Sequence, residues 1–170
     1  VRSVALLRGV NVGGHHQISM RALVAWLEES GFTEVASYIN SGNVVVDHPP
    51  RLDVAGRITD LVAERAGFTV PVVVRTADAL AEVVAANPYP HAEEGTLHVA
   101  FLEPDVERRP FDVDADRWTP EEFTVVGDEV YLHLPKGVGR SVMVPRLALL
   151  KRATMRNWKT VNALDELARR

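Results

Sequence analysis

The sequence predicts an α+β fold, with a ferredoxin-like βαββαβ first half and a second, modified ferredoxin-like half. Three observations carry this. Residues 3–75 alternate in the order strand, helix, strand, strand, helix, strand, which is the split βαβ pattern. Turn-forming Gly, Asn, Ser and Pro residues punctuate every junction. The 170 residues suit one domain or two small halves, which we divide at 1–76 and 77–170 and expect to pack as one compact unit.

The first strand is "SVALLRGV" (3–10), a short apolar run. Met20, Leu23, Val24 and Leu27 then recur at helical spacing, with Ser19 placed as N-cap and Gly31 just past the end. "EVASYIN" and "NVVVDH" flank Ser41-Gly42, a hairpin signal. Pro49-Pro50 ends the second of these runs. Asp53 can cap a second helix carrying Val54, Ile58, Leu61 and Val62, and Gly67 can close it. "VPVVVR" (70–75) supplies the fourth strand.

The second half is less regular. Thr76 can cap a helix with Leu80, Val83 and Val84 inward, halted by Asn87-Pro88. "TLHVAFLE" (96–103) reads as a strand, and "FTVVGDEVYLHLP" as a hairpin turning at Gly127-Asp128. The acidic, proline-punctuated residues 104–122 read as a long connection with a short helix at most. "KGVGRS" (136–141) is a basic glycine-rich loop, and two helical stretches are expected at about 142–152 and 155–169. No internal sequence repeat marks a duplication.

Composition bounds the function. Hydrophobic content of 46% with 25% charged residues belongs to an ordinary soluble globular chain. No apolar run reaches the roughly 20 residues of a membrane span, no signal peptide is visible at the first residue, and a cytoplasmic location is expected. There is no cysteine, which removes disulfides, thiolate catalysis and cysteine-ligated metal. Arginine outnumbers lysine and Ala and Val abound, a bias expected of a GC-rich bacterial genome. The net charge of −4 is unevenly spread: residues 136–170 hold nine basic and two acidic side chains. Either an anionic partner or the acidic body of the protein answers that charge.

Ferredoxin-like topology sets strand one between strands three and four, so the loop after strand one shares a sheet end with the hairpin between strands two and three. "GVNVGG" thereby meets "INSGN". This loop cluster, with its free N–H groups at the start of a helix, suits an anion. The candidate ligand-binding residues are Arg8, Asn11, Gly13, Gly14, Ser41 and Asn43, with Arg140 or Arg156 placed to close over them. Equally, the two loops can satisfy each other's polar groups. "TMRNWKT" gathers Arg156, Asn157 and Lys159 beside Trp158, a phosphate-plus-stacking pattern, unless the tryptophan simply packs inward.

Other chemistries find little support. "GVNVGG" lacks the spacing of a dinucleotide fingerprint, and no Walker loop occurs. The six histidines show no metal-ligand spacing, so neither a metal nor another cofactor is expected. Neighbouring glutamates such as Glu121-Glu122 read as a solvated face, and Ser41 does not sit in a nucleophile elbow. The chain is therefore read as a binder, or an enzyme, acting on a small phosphate- or carboxylate-bearing ligand. A nucleic-acid module using residues 136–159 is the alternative. It is disfavoured by the sequence pI of about 5.9 and by the lack of aromatics on "SVALLRGV" and "NVVVDH". A scaffold without chemistry is the third reading, and the composition leaves the oligomeric state open.

"ALLRGVNVGGHHQISM", "GFTEVASYINSGNVVV", "KGVGRS" and "ATMRNWKTV" together resemble the bacterial domain of unknown function 1697 family. The resemblance runs from near residue 3 to near residue 165. It departs from the family pattern at His16, where a small or polar residue is expected after a single histidine. It implies an α+β fold of two ferredoxin-like halves, and no particular activity, substrate, cofactor or catalytic residue.

Overall fold

A computed structural model describes residues 1–107 and 115–170. The chain divides into one unit of Val1–Glu82 with Ala163–Arg170 and a second of Val83–Asn162. Part of the connection expected at 104–122 lies outside the described residues.

The first unit runs β1 (Arg2–Leu7), α1 (Met20–Glu29), β2 (Thr33–Ser37), β3 (Asn43–Asp47), α2 (Val54–Ala66) and β4 (Val72–Thr76). Its sheet has the order β2-β3-β1-β4, as the sequence predicts, and every pairing is antiparallel. Val4 of β1 lies between Val45 and Arg75. Ala5, Leu7, Val44 and Val46 form one core with Leu23 and Leu27 of α1 and with Ile58 and Val62 of α2. Alternation along each strand sends Val4, Leu6, Val45 and Val73 to the opposite face, where they are buried too. Strands covered on both faces need continuous apolar runs, which is why "VALL" and "VVV" carry no polar alternation.

The helices end where the sequence says they should. Ser19 Oγ accepts from Ala22 N at 3.2 Å, and Asp53 Oδ1 accepts from Gly56 N at 3.0 Å. Gly67 closes α2 in the left-handed conformation at φ 79°.

The second unit repeats the sheet plan, with 3-10 turns in place of the helix between its third and fourth strands. α3 (Ala77–Ala85) leads from the first unit into it, with Thr76 Oγ1 accepting from Ala79 N at 3.2 Å. There follow β5 (Leu97–Leu102), β6 (Glu122–Val126), β7 (Glu129–His133) and β8 (Ala153–Asn157), and then α4 (Trp158–Ala168), which begins in the second unit and ends in the first. The sheet order is β6-β7-β5-β8, the counterpart of β2-β3-β1-β4. Val99 lies between Tyr131 and Arg156 just as Val4 lies between Val45 and Arg75. Arg75 and Arg156 each donate from Nη1 to the preceding carbonyl at 3.0 Å, and each is followed by a helix-capping residue. The duplication that the sequence hides is thus plain in the register.

Two expected helices differ. Residues 142–152 form 3-10 turns at Val144–Arg146 and Ala148–Arg152, because Pro145 interrupts the α-helical ladder. Residues 153–157 are a strand, and the last helix begins only at Trp158. These turns bury Met143, Leu147 and Leu149 against Ala100, Leu132 and Leu134, the side of the sheet that α1 and α2 cover in the first unit.

Candidate functional site

The two loops flagged in the sequence do meet. After β1 the chain makes a miniature hairpin: Asn11 N donates to His16 O and His15 N to Val12 O, both at 3.1 Å. Gly13 and Gly14 form its tip with φ of 59° and 76°, the doubly left-handed turn that only glycine adopts freely. Asn11 itself has φ 55°, tolerated because its side chain is well bonded. Its Oδ1 accepts from Ile18 N at 2.8 Å, and its Nδ2 donates to Ile18 O at 2.9 Å and Asn40 O at 2.7 Å. The ring of His16 stacks on Phe68 at 4.3 Å, fixing the far side of the loop.

Across the gap, Asn43 is fully buried and donates to Tyr38 O at 3.0 Å and Ser41 Oγ at 2.8 Å. Gly42 is closely packed: a Cβ there would lie 2.6 Å from Val10 Cγ2 and 2.9 Å from Leu7 Cβ. Arg8 follows β1 directly, its backbone N–H donating to Pro71 O at 3.0 Å. The structure therefore brings Asn11, Ser41 and Asn43 to one end of the first sheet, with their amide groups bonded mainly to the loops themselves.

The remaining candidates, Arg140, Arg156, Asn157 and Lys159, belong to the second unit. Arg156 is a β8 residue, and burial pushes its guanidinium down to about 10. Asn157 caps α4, its Oδ1 accepting from Thr160 N at 2.8 Å, and Lys159 is exposed in the first turn. Arg140 has different company. It lines a cavity of about 360 Å³ with Lys136, Arg146, Arg117, Trp118 and Glu121.

That cavity is built from separate stretches. The guanidinium of Arg117 lies 4.8 Å from the centre of the Trp118 ring and that of Arg146 5.9 Å away, so one indole serves two cations. The carboxylate of Glu121 is occupied: it accepts from Ser141 Oγ at 2.5 Å, Val142 N at 2.9 Å and Met143 N at 3.3 Å. Glu121 thereby pins the glycine-rich loop that carries Lys136 and Arg140. Among the described residues, none of the four cations makes a salt bridge. Both Glu121 and Glu122 are thus engaged, the latter accepting from His133 Nδ1 at 3.0 Å, where a merely solvated pair was expected.

Sequence reasoning missed Arg117, Trp118 and Arg146 here, because nothing local links residues 117–121 to 135–146. It also missed the Glu122–His133 contact, although the signal was present. A two-residue turn at Gly127-Asp128 pairs 126 with 129 and, stepping outward, 122 with 133.

Among the described residues, no cluster of His, Asp and Glu could hold a metal ion, and no helix is long and apolar enough to cross a membrane. Two four-stranded antiparallel sheets of ferredoxin-like order, the second with 3-10 turns in place of a helix, define the class: a duplicated α+β protein. Residues 1–131 match the family model described as "Protein of unknown function (DUF1697)", and the chain belongs to that family. A solved structure described as the conserved bacterial protein SP0830 from Streptococcus pneumoniae is similar over 98% of each chain, with a TM-score of 0.77 and 18% identity. At that identity the likeness shows the fold alone. No curated protein matches the chain.

Proposed function

We propose that the protein binds a small anionic ligand, bearing phosphate or carboxylate, in the cationic cavity of the second unit. The observation that carries this reading is the set Arg117, Lys136, Arg140 and Arg146 lining one cavity with Trp118, where the single lining carboxylate is held by three hydrogen bonds. The lining carries four positive charges against one carboxylate, and an anion offsets that excess. Arginine offers a planar fork that matches phosphate and carboxylate oxygens in pairs. The cavity is concave and of small-molecule size, which favours a compact ligand over a nucleic-acid strand tracking a flat surface. The loops after β1 and between β2 and β3 serve instead as a mutual brace, since Asn11, Ser41 and Asn43 bond largely within them.

Thermal unfolding in the presence of pyrophosphate, inorganic phosphate, citrate and chloride at matched ionic strength tests this reading. Binding to the folded state alone stabilises by about 2.7 kcal/mol at a hundredfold excess over Kd. A midpoint that rises with pyrophosphate or citrate in the wild type, and much less in Arg140→Ala, is the expected result. Equal shifts with chloride, or equal shifts in the wild type and in Arg140→Ala, would remove the proposal.

A further inference from the structure

We infer that this ligand also carries a planar heteroaromatic ring with a hydrogen-bonding edge, seated in a second cleft that adjoins the cationic cavity; the inference rests on the anion-binding reading above. The cleft holds about 600 Å³ and is lined by Tyr89, His91, Glu93, Glu122 and His133, with Pro135 at its edge. Pro135 lines both cavities, so the two share a wall within one unit. Glu122 opens β6, and Glu121 precedes it, its N–H donating to Trp118 O at 2.8 Å. One carboxylate lines the cationic cavity and the next lines the cleft.

The cleft is ordered for recognition. A carboxylate only accepts, so the 3.0 Å contact with Glu122 Oε2 places the proton on His133 Nδ1. The other ring nitrogen, Nε2, is left to hydrogen-bond a ligand. The Tyr89 ring lies 5.8 Å from the His133 ring, tilted by 32°, and its hydroxyl is held by Thr124 Oγ1 at 2.7 Å. Pro88, Pro90 and Pro135 give rigid apolar walls. A flat heteroaromatic ring stacks on such surfaces and hydrogen-bonds His133, while its anionic group reaches across Pro135 to Arg140 and Arg146. A nucleoside monophosphate has this chemistry: a planar ring with a polar edge, a spacer and one phosphate.

The test compares AMP, GMP, CMP and UMP with ribose 5-phosphate and pyrophosphate by calorimetric titration of the full chain. At least one nucleotide is expected to bind about tenfold more tightly than ribose 5-phosphate, the usual scale of one ring stacked on an aromatic wall. His133→Ala is expected to remove that advantage and leave ribose 5-phosphate unaffected, while His133→Gln, which keeps a hydrogen-bonding group of similar size, retains part of it. Nucleotides no tighter than ribose 5-phosphate, or an advantage that survives His133→Ala, would overturn the inference while leaving the anion site intact. If neither pyrophosphate nor any phosphate ester binds, the anion-binding reading itself falls, and this inference with it.

Discussion

Asn11 Nδ2 lies 2.7 Å from the backbone carbonyl of Asn40, and this bond ties the loop after β1 to the β2–β3 hairpin. The same side chain spans Ile18 N and O, so one amide closes a loop and joins it to its neighbour. Asn11→Ala leaves those backbone groups without their partner in a half-buried setting. Chemical denaturation is expected to show a loss of about 1–3 kcal/mol. Asn11→Asp, which keeps only the acceptor, is expected to lose the Asn40 bond while retaining the one from Ile18 N.

Gly42 answers a harder constraint. Its φ is 85°, and an added Cβ would overlap Val10 and Leu7. Gly42→Ala therefore combines left-handed strain with overpacking, and a loss of about 2–4 kcal/mol is expected from denaturant midpoints. Gly13→Ala meets no atom within 4 Å and carries the strain alone, so its loss is expected to be smaller, about 1 kcal/mol.

Glu121 is the anchor of the 141–143 segment. Glu121→Ala removes the acceptor of Ser141 Oγ, Val142 N and Met143 N together. A stability loss of about 2 kcal/mol is expected, with faster amide exchange at 142 and 143. Unchanged exchange there would show that the loop holds without it.

His98 gives a pH dependence with a definite sign. Burial lowers its pKa below the ordinary 6.5, against a smaller opposing effect of the Thr96 backbone. The folded protein keeps this imidazole neutral where the unfolded chain protonates it. Its contribution is fully present above about pH 6.5 and is lost as pH falls through the lowered folded value. Denaturation midpoints between pH 5 and 7 are expected to slope less steeply in His98→Gln than in the wild type.

Much of the first unit was legible because its signals are local. Ser19, Asp53, Gly67 and Thr76 sit at helix ends where hydrogen-bonding demand is highest, and "NVVV" cannot be anything but buried strand. β8 was not legible. "ATMRN" has a Met and a following Trp at helical spacing, and only pairing with β5, over fifty residues away, makes it a strand. The stretch 142–152 has enough apolar residues for a helix, and Pro145 reduces it to 3-10 turns. At the site, Lys136 and Arg140 were picked out by their glycine-rich loop. Arg117 and Trp118 lie in a connection with no periodicity, and long-range packing alone brings them to that loop.

The central claim is that the four cations lining the Trp118 cavity hold an anion. Calorimetric titration of pyrophosphate into the wild type and into Arg140→Ala and Arg146→Ala measures it most directly. The account predicts saturable one-to-one binding that weakens about tenfold or more in each variant, the scale of one charge-assisted contact, and that weakens as salt rises. Binding of equal strength in all three proteins, or none in the wild type, would contradict it.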